Sequence, residues 1–389
     1  MVETLLDCTA KTKPMQIFRT NAVQGFHLRP ATVADDPQLV NLIAESMPAN
    51  GVLLSFERCP SYLTAAYTQF ERPCVMVAAA DDQPEKILAM YNLGVRNCFI
   101  NGVVKPLRYV GDLRINKTAR GTGLISLLMS HLKECYSQDE LYQTVILNDN
   151  MVARRVLHES RPEVPPHYMA DQVETYTLTS FKTKKDINPN LRVSPMTLGD
   201  ISAVNRFVRH MADYYNFLPA YNFRGLAAHE PYWNGLRVDD FFVIRRAGQI
   251  VGLFGLWNQK TFKQTRIADY SKLTGLMRPA YNYWAKLRGQ LSLPQKGSAL
   301  NYLMLHSVLC NPYNTSLFED ILRVAHQKAC KRGTEAICFT LAENDPRRDC
   351  KQLFIAQKVQ AMHVFHCFKD NPLKHFDARR ISYLECGRI

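Results

Sequence analysis

Apolar and polar positions in the first half of the chain predict alternating strands and helices. Four apolar runs bounded by polar turns have the length of strands and lie at 74–80, 86–95, 107–115 and 141–147. Beyond Gly123, apolar residues recur at helical spacing, at Leu124, Leu127, Leu128 and Leu132. A second helix is predicted from Asn150, after the fourth strand. This pattern is typical of a mixed α/β domain.

The second half shows a similar alternation. A hairpin is predicted over 241–257, turning at "AGQ". Further strands are predicted at 300–310, 335–341, 361–368 and 379–386. Helices are predicted over 316–333, ending at Gly333, and over 347–357. The second half is therefore also expected to be a mixed α/β domain.

The two halves begin with the same short pattern. Pro30 is followed by threonine two positions on, aspartate five positions on and then apolar residues, and Pro195 opens the same pattern 165 positions later. A domain-sized offset indicates a duplicated domain, in which each copy begins strand, turn, helix, although so short a match also allows chance. The polar segment 180–190 is typical of a linker, so we predict domains over 1–183 and 190–389.

Composition narrows the classes of protein. The 389 residues are 47% hydrophobic, which suits two globular cores. Residues 1–15 do not resemble an export signal, and no segment reaches about 18 uncharged apolar residues, so we expect a cytoplasmic protein with no membrane partner. Eleven cysteines without a CxxC pair argue against disulfides and zinc. No metal site is predicted, because on a strand His366 points away from His363 and Cys367.

The turn 120–123 carries the clearest chemistry. Two glycines separated by one residue end a predicted strand and open a predicted helix. The first N–H groups of that helix and its dipole form a site for an anion, glycine lets the backbone approach a phosphate, and Arg120 adds a positive charge. The GxxxxGK[ST] loop and the third glycine of a dinucleotide-binding turn are both missing here.

The segment Arg120-Gly121-Thr122-Gly123-Leu124 resembles the acyl-CoA pyrophosphate loop of the GNAT superfamily of N-acetyltransferases. Ile125 departs from the glycine or alanine usual there. Asn150, Ala153 and Arg154 match that superfamily's Asn-x-x-Ala helix, and the order of strand, loop, helix, strand and helix matches as well. The resemblance implies a mixed α/β fold of two tandem GNAT-like acyl-CoA N-acyltransferase domains.

The implied reaction is transfer of an acyl group, expected to be acetyl from acetyl-CoA, to an amine on a small molecule or protein. The resemblance assigns acyl-CoA contacts to Leu113, Arg114, Ile115, Arg120, Gly121, Thr122, Gly123, Leu124, Ile125, Asn150 and Arg154. It makes Asp112 the candidate base that deprotonates the amine. Asp112 could equally cap a bend or pair with Arg108 or Arg114.

The usual general acid of the superfamily, a tyrosine, would fall at Leu157. His158 is adjacent, but consecutive helical residues point about 100° apart, so it does not replace that tyrosine automatically. The general acid is therefore not predicted. This departure keeps a non-enzymatic acyl-CoA sensor as an alternative.

The second half lacks the loop. The corresponding segment 310–320 has no RGxG and places Glu319 and Asp320 where a phosphate would be repelled, so this domain is expected to be degenerate. Its expected roles are to complete the acceptor cleft, to form a homodimer or to bind a partner.

An insertion at about 260–297 is strongly basic. It contains eight basic residues and the single acidic Asp269, with interleaved aromatics, in a chain of net charge +13. This composition allows an RNA-binding module. The favoured expectation is a helical insertion whose aromatics pack onto the domain while its charges are solvated, so nucleic acid is not favoured as a partner.

Overall fold

The computed structural model describes residues 17–21, 23–45, 47–49, 52–135, 140–158, 162–288 and 292–389. Its strands are β1 (Phe18–Thr20), β2 (Val23–Pro30), β3 (Met47–Ala49), β4 (Val52–Glu57), β5 (Cys74–Ala80), β6 (Gln83–Ile100), β7 (Val103–Ile115), β8 (Tyr142–Leu147), β9 (His167–Phe181), β10 (Arg192–Pro195), β11 (Tyr215–Asn216), β12 (Leu218–Pro219), β13 (Phe241–Arg246), β14 (Gln249–Trp257), β15 (Gln264–Tyr270), β16 (Tyr302–Cys310), β17 (Ala336–Ala342), β18 (Phe354–His366) and β19 (Ile381–Ser382). Its α-helices are α1 (Asp36–Ile43), α2 (Tyr62–Ala66), α3 (Leu124–Cys135), α4 (Met151–His158), α5 (Ile201–Met211), α6 (Phe223–Ala227), α7 (Lys272–Arg288) and α8 (Thr315–Lys331).

One mixed sheet runs through both halves of the chain. Its strand order is β1-β2-β5-β6-β7-β8-β18-β9-β17-β16-β14-β13-β10, with β12 paired to β6. A three-stranded sheet, β15-β4-β3, joins a strand of the second half to two of the first, and β11 pairs with β19. The apolar stripe of α3 packs on the sheet of the first half, and α8 packs on that of the second.

The last long strand of each half lies in the other half's part of the sheet. β18 runs antiparallel between β8 and β9, and β9 in turn pairs with β17. Backbone hydrogen bonds along these strands therefore join the two halves at the centre of the sheet.

The repeated sequence pattern forms the same helix cap twice. The Thr32 backbone N–H donates to Asp35 Oδ2 at 2.7 Å, and the Thr197 N–H donates to Asp200 Oδ2 at 2.9 Å. In each copy this box lies between an entering strand and a helix, β2 and α1 or β10 and α5. Both halves begin strand, turn, helix, as the sequence predicts.

Two predicted elements near the end of the chain are wrong. Residues 347–357 are not one helix, because a 3₁₀ helix ends at Leu353 and β18 begins at Phe354. The predicted strand 379–386 forms β structure only in β19. Both segments take positions set by distant strands, so tertiary contacts override the local pattern.

The basic insertion also differs from expectation. Phe262 is buried, but Tyr283 and Trp284 on α7 are 72% and 39% exposed. The expectation that the aromatics pack onto the domain is therefore wrong for these two residues. In the part of the chain that the structure describes, no helix is long and apolar enough to span a bilayer.

Candidate active site

Two parallel strands of the first half separate from each other at the candidate site. β7 and β8 pair only at Arg108–Tyr142 and Tyr109–Gln143, although both strands continue beyond these pairs. Among the described residues, the edge of β7 that faces β8 has no strand partner from Val110 onward. No strand therefore covers this edge at Leu113 to Ile115, where an extended ligand could pair with the backbone.

A bulge lies on β7 at the same point. The register with β6 shifts between Met90 and Asn92, and Asp112 has a φ of 52°. A bulge bends its strand and redirects the local backbone groups. The bulge thus marks the place where β7 turns away from β8.

The turn that follows β7 has the geometry expected of a phosphate loop. Gly121 and Gly123 have φ values of 84° and 88°, which strain any residue with a Cβ. A Cβ at Gly121 would meet no atom within 4 Å, so conformation and not crowding requires glycine there. The Thr122 hydroxyl donates to the Ala119 carbonyl at 2.7 Å and closes the turn.

Helix α3 begins directly at this turn. The Leu127 N–H donates to the Gly123 carbonyl at 3.2 Å, so Gly123 caps the helix. The N–H groups of Leu124 and Ile125 then have no acceptor within the helix and point into the turn. The Ile125 side chain packs against the hydrophobic core below α3, so it does not crowd the phosphate side.

Arg120 and the second helix border the turn. Arg120 is exposed, and its Nη2 lies 3.1 Å from Glu45 Oε2. Asn150 caps α4 by accepting the Ala153 N–H at 3.1 Å, and the half-buried Arg154 donates from Nη1 to the Asn148 carbonyl at 3.4 Å. The predicted contacts thus occupy the end of β7, the following turn and the end of β8.

The candidate base Asp112 is held in a buried polar network. Its carboxylate accepts the Tyr62 hydroxyl at 3.0 Å and Gln69 Nε2 at 3.1 Å, and Arg58 Nη2 lies 3.7 Å away. Burial is the largest effect and would raise the pKa of Asp112, but Arg58, Arg114 and the two hydrogen bonds together lower it. The carboxylate is therefore ionised at neutral pH.

Of the two arginines suggested from the sequence as partners of this carboxylate, Arg114 acts on it only through its charge and Arg108 pairs elsewhere. Arg108 pairs with Glu140 at 2.8 Å, and the hydrogen bond from Arg114 Nη1 goes to the Leu113 carbonyl at 2.9 Å. The actual contacts, Arg58, Tyr62 and Gln69, lie 54, 50 and 43 positions before Asp112, and no local sequence pattern marks them. Leu157 is half-buried at the end of α4, and the side chain of His158 lies outside the described part of the chain.

The second half holds this network in place. β15 pairs antiparallel with β4, which ends directly before Arg58. The Gln264 side chain accepts the Cys59 N–H at 3.1 Å and donates to the Cys59 carbonyl at 2.9 Å. Arg388 Nη1 donates to the Thr68 carbonyl at 2.7 Å. Residues of the second half therefore position the segment that surrounds Asp112.

The second half repeats the separated strands. β16 and β17 pair in parallel only from Tyr302–Ala336 to Met304–Cys338, and Ser307 on β16 has a φ of 50°. This bulge matches the one at Asp112. The second half therefore repeats the backbone geometry of the candidate site.

The C-terminal segment occupies the second cleft. Glu385 Oε2 accepts the Ser307 backbone N–H at 2.8 Å and the Tyr383 hydroxyl at 3.0 Å. Arg388 is fully buried and donates from Nη1 to the Tyr232 carbonyl at 2.7 Å. The backbone group at the second bulge is thus satisfied by the protein itself.

The helix that follows β16 also lacks a free N-terminus. The Asn314 side chain accepts the Leu317 N–H at 3.0 Å and so caps α8. Glu319 pairs with Arg323 at 2.8 Å and Lys185 at 2.6 Å, and Asp320 is also buried. The start of α8 is therefore capped by a side chain and followed by ion-paired acidic residues, whereas α3 starts at a glycine turn.

Solved structures of N-acyltransferases share this fold. N-myristoyltransferase from Saccharomyces cerevisiae with bound myristoyl-CoA matches with a TM-score of 0.55 at 9% identity, covering 97% of this chain and 92% of that chain. A second structure of that enzyme, with bound myristoyl-CoA and inhibitors, gives 0.55 at 10% identity over 94% and 87%. A GCN5-related N-acetyltransferase from Sphaerobacter thermophilus gives 0.48 at 11% identity over 92% and 99%.

No protein-family model matches the sequence, and no curated protein matches it. At these identities the structural matches establish the fold. The predicted fold class is confirmed, since a large mixed sheet with two copies of the strand–loop–helix arrangement spans the chain. The chain therefore has the tandem GNAT-like fold of N-acyltransferases.

Proposed function

We propose that this protein transfers an acyl group from acyl-CoA to an amine, and that the first half binds the acyl-CoA. The observation that carries the proposal is the glycine turn at the start of α3, placed directly beyond a bulged strand whose edge is open toward β8. Such an edge can pair with the amide-containing arm of CoA, while the helix N-terminus and Arg120 attract its pyrophosphate.

The reaction moves one acyl group and one proton. The amine nitrogen attacks the thioester carbonyl carbon, the carbon–sulfur bond breaks, and CoA leaves as a thiolate that takes up a proton. Backbone N–H groups at the bulge would polarise the carbonyl, because charge develops on its oxygen in the transition state. The protein thus supplies mainly orientation and electrostatic stabilisation.

Asp112 would act on the acceptor side. Its lowered pKa keeps it ionised but makes it a weak proton acceptor. We therefore propose that Asp112 attracts the ammonium form of the acceptor and that the proton released from the amine passes to water. Arg58, Tyr62 and Gln69 fix its position.

Acetyl is the acyl group that we propose. Large side chains fill the space beside β6 and β7 near the bulge: a Cβ on Gly94 would lie 2.1 Å from the Phe70 ring, and Phe70 lies 5.8 Å from the Tyr109 ring. The Arg96 guanidinium lies over both rings, at 5.0 and 4.7 Å. This packing supports a short acyl group, because a long chain needs a cavity.

We propose that the chain forms two domains, 1–183 and 190–389, and that the second domain completes the binding site for the acceptor amine. The pairing of β15 with β4 supports this role. We also propose that the protein is cytoplasmic. The acceptor is an amine on a small molecule or a protein.

A non-enzymatic acyl-CoA sensor is the second candidate. Leu157 stands at the position of the usual general acid, and Asp112 is tied into an ion-paired network. Both features would leave acyl-CoA binding intact while removing catalytic groups.

A thiol-release assay with a panel of amines and with acyl-CoAs of increasing chain length tests both candidates. Release of CoA that requires an amine and is fastest with acetyl-CoA is expected. Tight CoA binding without release would favour the sensor, and fastest release with a long-chain acyl-CoA would disprove the acetyl assignment. Absence of CoA binding would refute both.

A further inference from the structure

Helix α7 exposes its apolar side. Six large apolar residues of α7 have 39–81% of their surface exposed: Leu273, Leu276, Met277, Tyr283, Trp284 and Leu287. At 100° per residue they lie within an arc of about 120°. A helix on a globular domain normally turns such a stripe toward the core, so this outward face (Leu273 to Leu287) indicates a surface that binds something apolar.

The orientation of α7 is fixed by its opposite side. Ala285 is fully buried, and Asn282 exchanges two hydrogen bonds with the Leu293 backbone, at 2.9 and 2.8 Å. The Ser271 hydroxyl accepts the Thr274 N–H at 3.2 Å and caps the helix. Polar and small residues therefore hold α7 to the domain, and the leucines are left outside.

Basic residues border the outward face. Lys272 and Arg288 lie directly beside it on its two sides, Lys286 lies further round the helix, and the half-buried Arg278 lies on the opposite side. Lys272, Arg278, Lys286 and Arg288 lie on α7, which contains no acidic residue, and within the described residues none of the four pairs with a carboxylate. Asp269, the single acidic residue of the insertion, pairs with Lys296 at 2.7 Å. The Arg288 guanidinium lies 4.6 Å from the Trp284 ring centre, at the edge of the face.

This combination selects one class of partner. RNA would use the basic residues and the aromatics but would leave Leu273, Leu276 and Leu287 in water. A second copy of this chain would bring the same basic flanks together and repel itself. An anionic bilayer accepts both features, because apolar side chains enter the headgroup–acyl boundary while Lys and Arg contact the headgroups.

We propose that α7 docks this protein on the surface of an anionic lipid bilayer, with its outward face lying in the headgroup region. This differs from the sequence expectation of no membrane partner. The docking is peripheral and independent of the acyl-CoA turn, so it stands whether or not the proposed acyl transfer is found.

Vesicle flotation of the full-length protein tests the proposal. Binding is expected to phosphatidylcholine vesicles that contain phosphatidylserine and not to pure phosphatidylcholine. Leu273→Ser should weaken it about tenfold, and Leu198→Ser is the matched control, since both leucines are 68% exposed. Lys272→Gln and Lys286→Gln should each weaken it about fivefold.

Tryptophan quenching shows which surface enters the lipid. Of the three tryptophans, Trp233 and Trp257 are buried and Trp284 is exposed. Brominated lipid in the vesicles should therefore quench part of the fluorescence, and Trp284→Phe should abolish that quenching.

Several results would overturn the proposal. One is the absence of vesicle binding at low salt, and another is binding that Leu273→Ser leaves unchanged. Self-association without lipid that Leu273→Ser removes would show that a second copy covers the face. RNA binding that competes with vesicles and depends on Tyr283 and Trp284 would assign the surface to nucleic acid.

Discussion

A carboxylate placed at Gly123 should abolish CoA binding. Gly123 caps α3, and the proposed pyrophosphate site lies against the N–H groups that follow it. A charge about 5 Å from a phosphate, at an effective dielectric constant of about 20, costs about 3 kcal/mol per phosphate charge. Gly123→Asp should therefore weaken CoA binding at least a hundredfold.

Gly123→Asn separates this charge effect from the change of shape. Both variants place a Cβ at a φ of 88°, which costs about 1–3 kcal/mol of stability, and that Cβ would meet Val23 at an ordinary 3.5 Å. A carboxylate or amide at a helix N-cap recovers about 1 kcal/mol. Both variants should therefore fold, with similar melting temperatures.

Titration calorimetry with CoA, together with circular dichroism, measures the difference. We expect Gly123→Asn to lose about tenfold in affinity or less, and Gly123→Asp to lose at least about a further hundredfold. Equal affinities of the two folded variants would show that no phosphate lies at this turn and would remove the basis of the proposed function. The difference should shrink with added salt, because ions screen exposed charges.

Four further predictions follow from other parts of the structure. An equilibrium titration should find one CoA per chain, since the C-terminal segment occupies the second cleft; two per chain would contradict that reading. Asp112→Asn should slow turnover, most strongly at low pH, while CoA affinity stays within about twofold; lost affinity would make Asp112 structural. Burial lowers the pKa of His363 to about 3 in the folded protein, compared with about 6.5 in the unfolded chain. Below about pH 6.5 the unfolded chain therefore binds a proton that the folded protein does not, and the free energy of unfolding should fall by about 2 kcal/mol at pH 5. His363→Gln should remove that part of the acid sensitivity in denaturant titrations at pH 7 and 5. Separately expressed 1–183 and 190–389 should fail to fold alone but recover when mixed, because β18 and β9 would lack their partners; a folded isolated half would contradict the strand exchange.

Local chemistry made the turn and helix of the candidate site predictable from the sequence. The turn requires glycines because its φ values are positive, and α3 requires apolar residues at helical spacing because one side of it is buried. Both requirements can be recognised in a short stretch of sequence. The cap at Thr32 and its copy at Thr197 are equally local. The fold class followed from the order of such elements.

Long-range contacts made the rest unpredictable. The insertion of β18 between β8 and β9 depends on strands more than 170 positions away, and residues 347–357 show an apparent helical pattern that this pairing overrides. The hydrogen bonds of Tyr62 and Gln69 to Asp112 likewise leave no local signal. The apolar residues of α7 can be read from the sequence, but their spacing does not indicate whether they face the core or the solvent.

The two clefts share their backbone geometry but differ in what fills them. Both halves keep a bulge at a φ near 50° beside strands that separate, so each exposes a backbone N–H that needs an acceptor. At Ser307 that acceptor is Glu385, held by Tyr383 and followed by the fully buried Arg388. A ligand could enter there only by displacing this segment, which would leave Arg388 without the carbonyl groups it contacts in both halves. The segment that fills the second cleft therefore also supports the network around Asp112, because Arg388 bonds the Thr68 carbonyl directly before Gln69.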